Sequence, residues 1–138
     1  MSLDQERVAK FVGDIRQSRD RLLRIAEMPE KDFLTDLDSQ DIARSRLLTM
    51  IQAALGICYH VCAKEFDYVP SDYAACFSRL GEAGLLDPGL AARLVAMARF
   101  RNRLVHLYWE TDYRIVHGII RNDLPDLDSF VLAVEKLL

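Results

Sequence analysis

Apolar side chains recur at three- and four-residue intervals along almost the whole chain, the period of a helix that buries one face. Val8, Phe11, Val12, Ile15, Leu22 and Ile25 make the first stripe, with Asp14, Arg16, Arg19 and Asp20 between them. The pattern predicts a helix over about residues 4–27, stopped before Pro29. An acidic, interrupted stretch follows to Gln40, with a short turn around Phe33-Leu34. Asp38 or Ser39 then offers a cap for a second long helix, whose core face is Leu47, Ile51, Ala54, Leu55, Cys58, Val61 and Cys62. Val69-Pro70-Ser71 breaks the period, and Ser71 is placed to cap a short helix running to about Gly81. Asp87-Pro88 is a helix start, a capping carboxylate ahead of proline at the first helical position. That helix passes Leu90, Leu94, Val95, Met97 and Ala98 on its way to about Trp109. Asp112 can cap a further helix over Tyr113 to Arg121, and Pro125 opens the last one, with Phe130, Val131, Val134, Leu137 and Leu138 apolar.

Strand-like alternation is sustained nowhere, and the connections are short, so neighbouring helices should run antiparallel. The expectation is an all-α fold: a single-domain antiparallel bundle of about five to six helices over residues 1–138. Composition agrees. At 138 residues, 51% hydrophobic and 28% charged, the chain can hold one core without a metal or disulfide staple. Its formal net charge of −3 excludes a globally basic nucleic-acid coat. No uninterrupted apolar run approaches the roughly 18 residues that would cross a bilayer. Asp4, Glu6, Arg7 and Lys10 leave no apolar core for a signal peptide. Three cysteines cannot all pair internally, which suits reduced thiols. A cytoplasmic protein without a membrane partner is expected.

The chemistry concentrates in Arg99-Phe100-Arg101-Asn102-Arg103-Leu104-Val105-His106-Leu107-Tyr108-Trp109. From Arg93 to His106 there are four arginines and no acid, in a chain that is net acidic. One sign of charge gathered against the overall balance points to an anionic partner. A guanidinium is a fixed fork matched to phosphate oxygens, and an imidazole gives and takes protons near neutral pH. With Asn102 and the phenol of Tyr108, they form a set able to cleave a phosphodiester without a metal. The same residues also fit a solvated helix face with a packed His-x-Tyr at its end.

Arg101-x4-His106-x-Tyr108 matches the Arg-x4–6-His-x-Tyr motif of the HepT-like HEPN toxin ribonucleases, and the flanks resemble that family too. Arg101-Asn102 leads into Leu104-Val105-His106, then Tyr108-Trp109 and Asp112. Upstream the likeness runs through Arg46-Leu47 with Ile51-Gln52-Ala53-Ala54, and through Pro70-Ser71-Asp72-Tyr73 with Phe77 and Leu80; downstream it reaches Leu124 and Phe130. The resemblance implies a metal-independent endoribonuclease, the toxin of a type VII-like toxin–antitoxin system, with no cofactor. It implies an RNA substrate and a nucleotidyltransferase antitoxin that transfers AMP onto the motif tyrosine, here Tyr108. Arg101 would hold the scissile phosphate, His106 would be the general base or acid, and Asn102 would support their orientation. Arg99 and Arg103 would add RNA or phosphate binding. The chain departs from the family at Gln52, where an acid is common, and at Arg103, where apolar residues are frequent. A non-catalytic helical module, binding a nucleotide or protein through the same basic face, is the competing expectation.

On an ideal helix Arg101 and Tyr108 share a face, whereas Arg101 and His106 diverge by about 140°. One helix should therefore struggle to aim both at a single phosphate, and two helices meeting about a two-fold axis would do so readily. A homodimer or higher oligomer with composite sites is expected.

Other clusters invite chemistry less well. Cys58 and Cys62 with His60 between them suggest zinc, but no second ligand pair follows, so they read as core thiols. His60 and His117 read as structural. Asp36-x-Asp38 resembles the magnesium carboxylates of nucleotidyltransferases but lacks the preceding Gly-Ser and a strand. Trp109 and Tyr113 suit either base stacking or burial.

Overall fold

The most apolar stretch becomes a helix buried nearly all round. In the computed structural model, which describes residues 3–138, α3 spans Leu37–Phe66. All seven expected core positions are buried, and Ala43, Met50, Ala53 and Ile57 are buried beside them. Such a helix must be surrounded. The helices around it are α1 (Gln5–Ala26), the single turn α2 (Glu30–Phe33), α4 (Tyr73–Glu82), α5 (Pro88–His106), α6 (Tyr113–Asn122) and α7 (Leu124–Glu135). Among the described residues every regular element is helical; counting α2 makes seven α-helices, one more than the periodicity suggested. Met1 and Ser2, the start of the expected 1–138 domain, lie outside the described residues. By length and composition α3 could also cross a bilayer, but most of its most apolar stretch is buried inside the bundle.

Two close approaches set how the helices sit. A Cβ added at Gly56 would come within 2.7 Å of the Phe11 ring, so glycine lets α1 lie against α3. A Cβ at Gly81 would meet that of Ala91 at 2.7 Å, which draws α4 onto α5. Between these two helices Gly84 takes φ 79° and turns the chain. Phe33, Phe77 and Phe130 are wholly buried, the last two edge to face at 5.5 Å between centroids. Each such side chain contributes roughly 1.5–3 kcal/mol by burial alone.

The caps depart from expectation at two helices. Asp36, rather than Asp38 or Ser39, caps α3, its carboxylate accepting the Ser39 N–H at 3.1 Å. The Gln40 amide reaches back to the Phe33 carbonyl at 3.1 Å, which fixes the entry and starts the helix earlier. Asp72, rather than Ser71, caps α4 and accepts from Ala75 N–H at 2.8 Å. Asp87 and Asp112 cap α5 and α6 as expected.

Both buried histidines are structural. His117 stacks on Phe33 at 5.1 Å and lies 2.8 Å from the Met28 carbonyl. His60 Nε2 accepts the Asp4 N–H at 2.9 Å, joining the start of α1 to α3, and a ring nitrogen can accept only when unprotonated. Burial first, then Arg7 and Lys64, hold the His60 pKa below its ordinary value, against a smaller opposing pull from Asp4. A lowered folded pKa means that the unfolded chain binds the proton more readily, so this contribution is complete above about pH 6.5 and is lost as pH falls through the folded value. Replacing His60 by Gln, which keeps an acceptor, should flatten the acid side of the stability profile in urea unfolding below about pH 6.5.

Candidate active site

Arg101, Asn102, Val105 and His106 of α5 line one side of an open groove of about 540 Å³, faced by Tyr59 of α3, by Ser71 and Asp72 ahead of α4, and by Tyr73, its first residue. A second lobe of about 370 Å³ continues it toward Gln52 and Gly56. The two share Arg101, Tyr59 and Tyr73, so the guanidinium stands where they join.

Three contacts define Arg101. Its guanidinium lies over the Tyr73 ring, 4.7 Å from the centroid. Its Nη1 donates to Asn102 Oδ1 at 3.2 Å. Its Nε is buried and finds no partner among the described residues. The Tyr73 ring in turn meets Tyr59 edge to face at 5.9 Å. Burial first, and then the neighbouring Cys76, Tyr73 and Asp72, push the Tyr59 phenol above its ordinary pKa, so it stays protonated at neutral pH. His106, the last residue of α5, is exposed at the end of the same groove. One chain therefore brings Arg101 and His106 to a shared surface despite their angular separation, because the groove spans a broad arc of α5.

Tyr108 is elsewhere. The helix was expected to run to about Trp109, but it ends at His106, and Tyr108–Glu110 forms a 3₁₀ turn. Arg44 of α3 accounts for the stop. Its Nη2 donates at 2.7 Å to the Leu104 carbonyl, the group that a continued helix would offer to the Tyr108 N–H. The Arg44 guanidinium also lies 5.4 Å from the Tyr108 ring centroid. The charged hydrogen bond, on the order of 1.5–3 kcal/mol, outweighs a half-exposed cation–π contact of about 0.5–1 kcal/mol, so the carbonyl is what holds Arg44. Tyr108 then leaves the face of Arg101 and stands 59% exposed, next to Trp109 at 67%. The shared face expected for Arg101 and Tyr108 is thus lost with the last turn of helix.

Arg99 and Arg103 are exposed on α5 and do not line the groove. Arg103 borders a small cleft with Glu110 and Asp112 on another side of the helix. Trp109 is exposed, and Tyr113 packs against Phe33 at 6.1 Å. The Asp36 carboxylate is engaged as a helix cap. Cys58 and Cys62 are buried core thiols, as read, and Cys76 of α4 joins them, its sulfur 3.9 Å from that of Cys62. Burial pushes the Cys58 thiol far up. The periodicity could not single out Tyr59 or Arg44: both sit at positions that a helical repeat treats as ordinary, and only the packing of α4 and α5 gives them neighbours.

The chain is similar in sequence and in fold to known proteins. The chain is 30% identical over 119 residues to the tRNA nuclease HepT of Aphanizomenon flos-aquae, an alignment covering 86% of this chain and 81% of that protein. It is 26% identical over 103 residues to the mRNA nuclease HepT of Shewanella oneidensis, covering 75% and 77%. Its fold superposes with a TM-score of 0.86 on a tri-AMPylated Shewanella oneidensis HEPN toxin solved in complex with its MNT antitoxin, at 22% identity over 94% of this chain and 97% of that one. The ribonuclease HepT-like family profile matches residues 15–134, and this chain belongs to that family.

Proposed function

We propose that this chain is a metal-independent endoribonuclease, the toxin of a type VII-like toxin–antitoxin system acting in the cytoplasm. One observation carries the reading: Arg101 and His106 border the same open groove, with Asn102 bonded to the guanidinium. Arg101 binds the scissile phosphate and stabilises the charge that grows on its oxygens. His106 takes the proton of the ribose 2′-hydroxyl as that oxygen attacks phosphorus. The new 2′-oxygen–phosphorus bond forms as the bond to the 5′-oxygen breaks. The products are a 2′,3′-cyclic phosphate and a 5′-hydroxyl that has gained a proton. Arg99 and Arg103, outside the groove, are assigned to flanking phosphates of a longer RNA.

Tyr108 is the acceptor of AMP from a nucleotidyltransferase antitoxin. Its exposure supports this role, since an attacking phenol must reach a second protein's nucleotide. Because Tyr108 stands off the groove wall, modification blocks the approach of RNA or of a second subunit and leaves the Arg101 contacts intact. The active form is a homodimer or higher oligomer, a reading supported by the exposed aromatic pair Tyr108-Trp109 just past the end of α5.

Three outcomes are expected. His106→Ala should abolish cleavage of total RNA in vitro and growth arrest in cells, with the melting temperature nearly unchanged because the side chain is exposed. A wild-type protein that cleaves no RNA, together with an inert substitution, would leave the binding-module reading. Tyr108→Phe should keep cleavage while abolishing the mass gain of adenylate on co-expression with the neighbouring nucleotidyltransferase. Sedimentation should show the cleaving species as at least two chains; full activity in a species of 15.8 kDa would remove the dimer.

A further inference from the structure

We infer that Tyr73 is a positioning residue for cleavage: its ring face holds the Arg101 guanidinium in the attitude that receives the scissile phosphate. The inference rests on the phosphate-binding role proposed for Arg101 and goes beyond it by assigning what aims the group. Tyr73 is the first residue of α4, fixed there by the Asp72 cap, and its ring is braced from the side by Tyr59. Arg101 sits 4.7 Å above that ring.

A guanidinium held over a ring face is attracted by the π electrons without any carboxylate neutralising its charge or occupying both prongs of its fork. A carboxylate in the same place would occupy the fork and lower the affinity for a phosphate. The hydrogen-bond pattern fits. Among the described residues Arg101 makes no ion pair, Asn102 takes one N–H, and the buried Nε–H is unclaimed. Tyr73 thus supplies hold without competing for the donors. Asn102 alone cannot fix the plane, because one hydrogen bond leaves rotation about its own axis.

The test varies the electronics of the ring while keeping its shape. Position 73 is changed to phenylalanine and then to phenylalanine carrying one, two and three fluorines, which progressively weaken the attraction of the face for a cation. Single-turnover cleavage of a short RNA is measured at saturating substrate, with Arg101→Ala as reference and thermal melting as the fold control. Tyr73→Phe should retain most of the rate, since the ring face remains. Each added fluorine should lower it, to about tenfold below Tyr73→Phe at three, while the melting temperature stays level. Tyr73→Leu, which keeps bulk but not the π face, should fall at least as far. A rate that stays flat along the fluorine series while Arg101→Ala is inactive would overturn the role of Tyr73 alone. Full activity of Arg101→Ala would overturn the site itself and this inference with it.

Discussion

A helix whose middle turns are apolar on most sides exists in water only when other helices cover it, and α3, buried at ten of the thirteen positions from Met50 to Cys62, imposes that condition on the whole chain. Its 30 residues pack against α1, α4, α5, α6 and α7, so the bundle is arranged around one axis. The groove follows from the same constraint. Where α4 and α5 lie against the C-terminal half of α3, their own ends do not fill the space above Tyr59, and Arg101 and His106 reach into it. In the middle of α3, between Met50 and Cys62, only Gln52, Gly56 and Tyr59 are not buried, and they become the floor of the site. Core and groove are two sides of one helix.

The end of α5 matters as much as its beginning. A proline and a capping aspartate fix its start locally, through groups within a few residues. Its end is set by Arg44, which is 60 residues away in sequence from the Leu104 carbonyl it takes. Because of that contact the Arg-x4-His-x-Tyr motif is divided in space. The arginine and histidine stay on the helix beside the groove, and the tyrosine is carried out to solvent. The break in the helix is what separates the pair beside the groove from the exposed phenol.

This division shows what the chain made legible and what it did not. Periodicity and local caps located α1, α5 and α6 to within a few residues, because those signals act over one or two turns. The starts of α3 and α4 were displaced by side chains that two neighbouring candidates could equally have supplied: Asp36 against Asp38 or Ser39, and Asp72 against Ser71. The residues expected to carry the chemistry were named from the motif, yet their relative placement was misjudged. An ideal helix put Arg101 and Tyr108 together and Arg101 and His106 apart, and the structure does the reverse. Tyr59 and Arg44 gain their meaning from contacts between helices, and no pattern along one helix encodes such contacts.

The allocation of arginines completes the picture. Arg16, Arg19, Arg93 and Arg114 meet carboxylates on other helices, at 3.4, 2.9, 3.1 and 3.8 Å. Pairs this exposed stabilise little, up to about 1 kcal/mol each, but they neutralise charge across the flanks of the bundle. Arg44 and Arg101 are handled differently. Each is held by a ring face and by a neutral oxygen, and each keeps a buried Nε–H without a partner among the described residues. A buried unpaired donor on a cation costs free energy in the fold, and both of these side chains carry one. Neutral partners on two arginines near the end of α5 leave their positive charge uncompensated by a carboxylate in a chain that is net acidic overall.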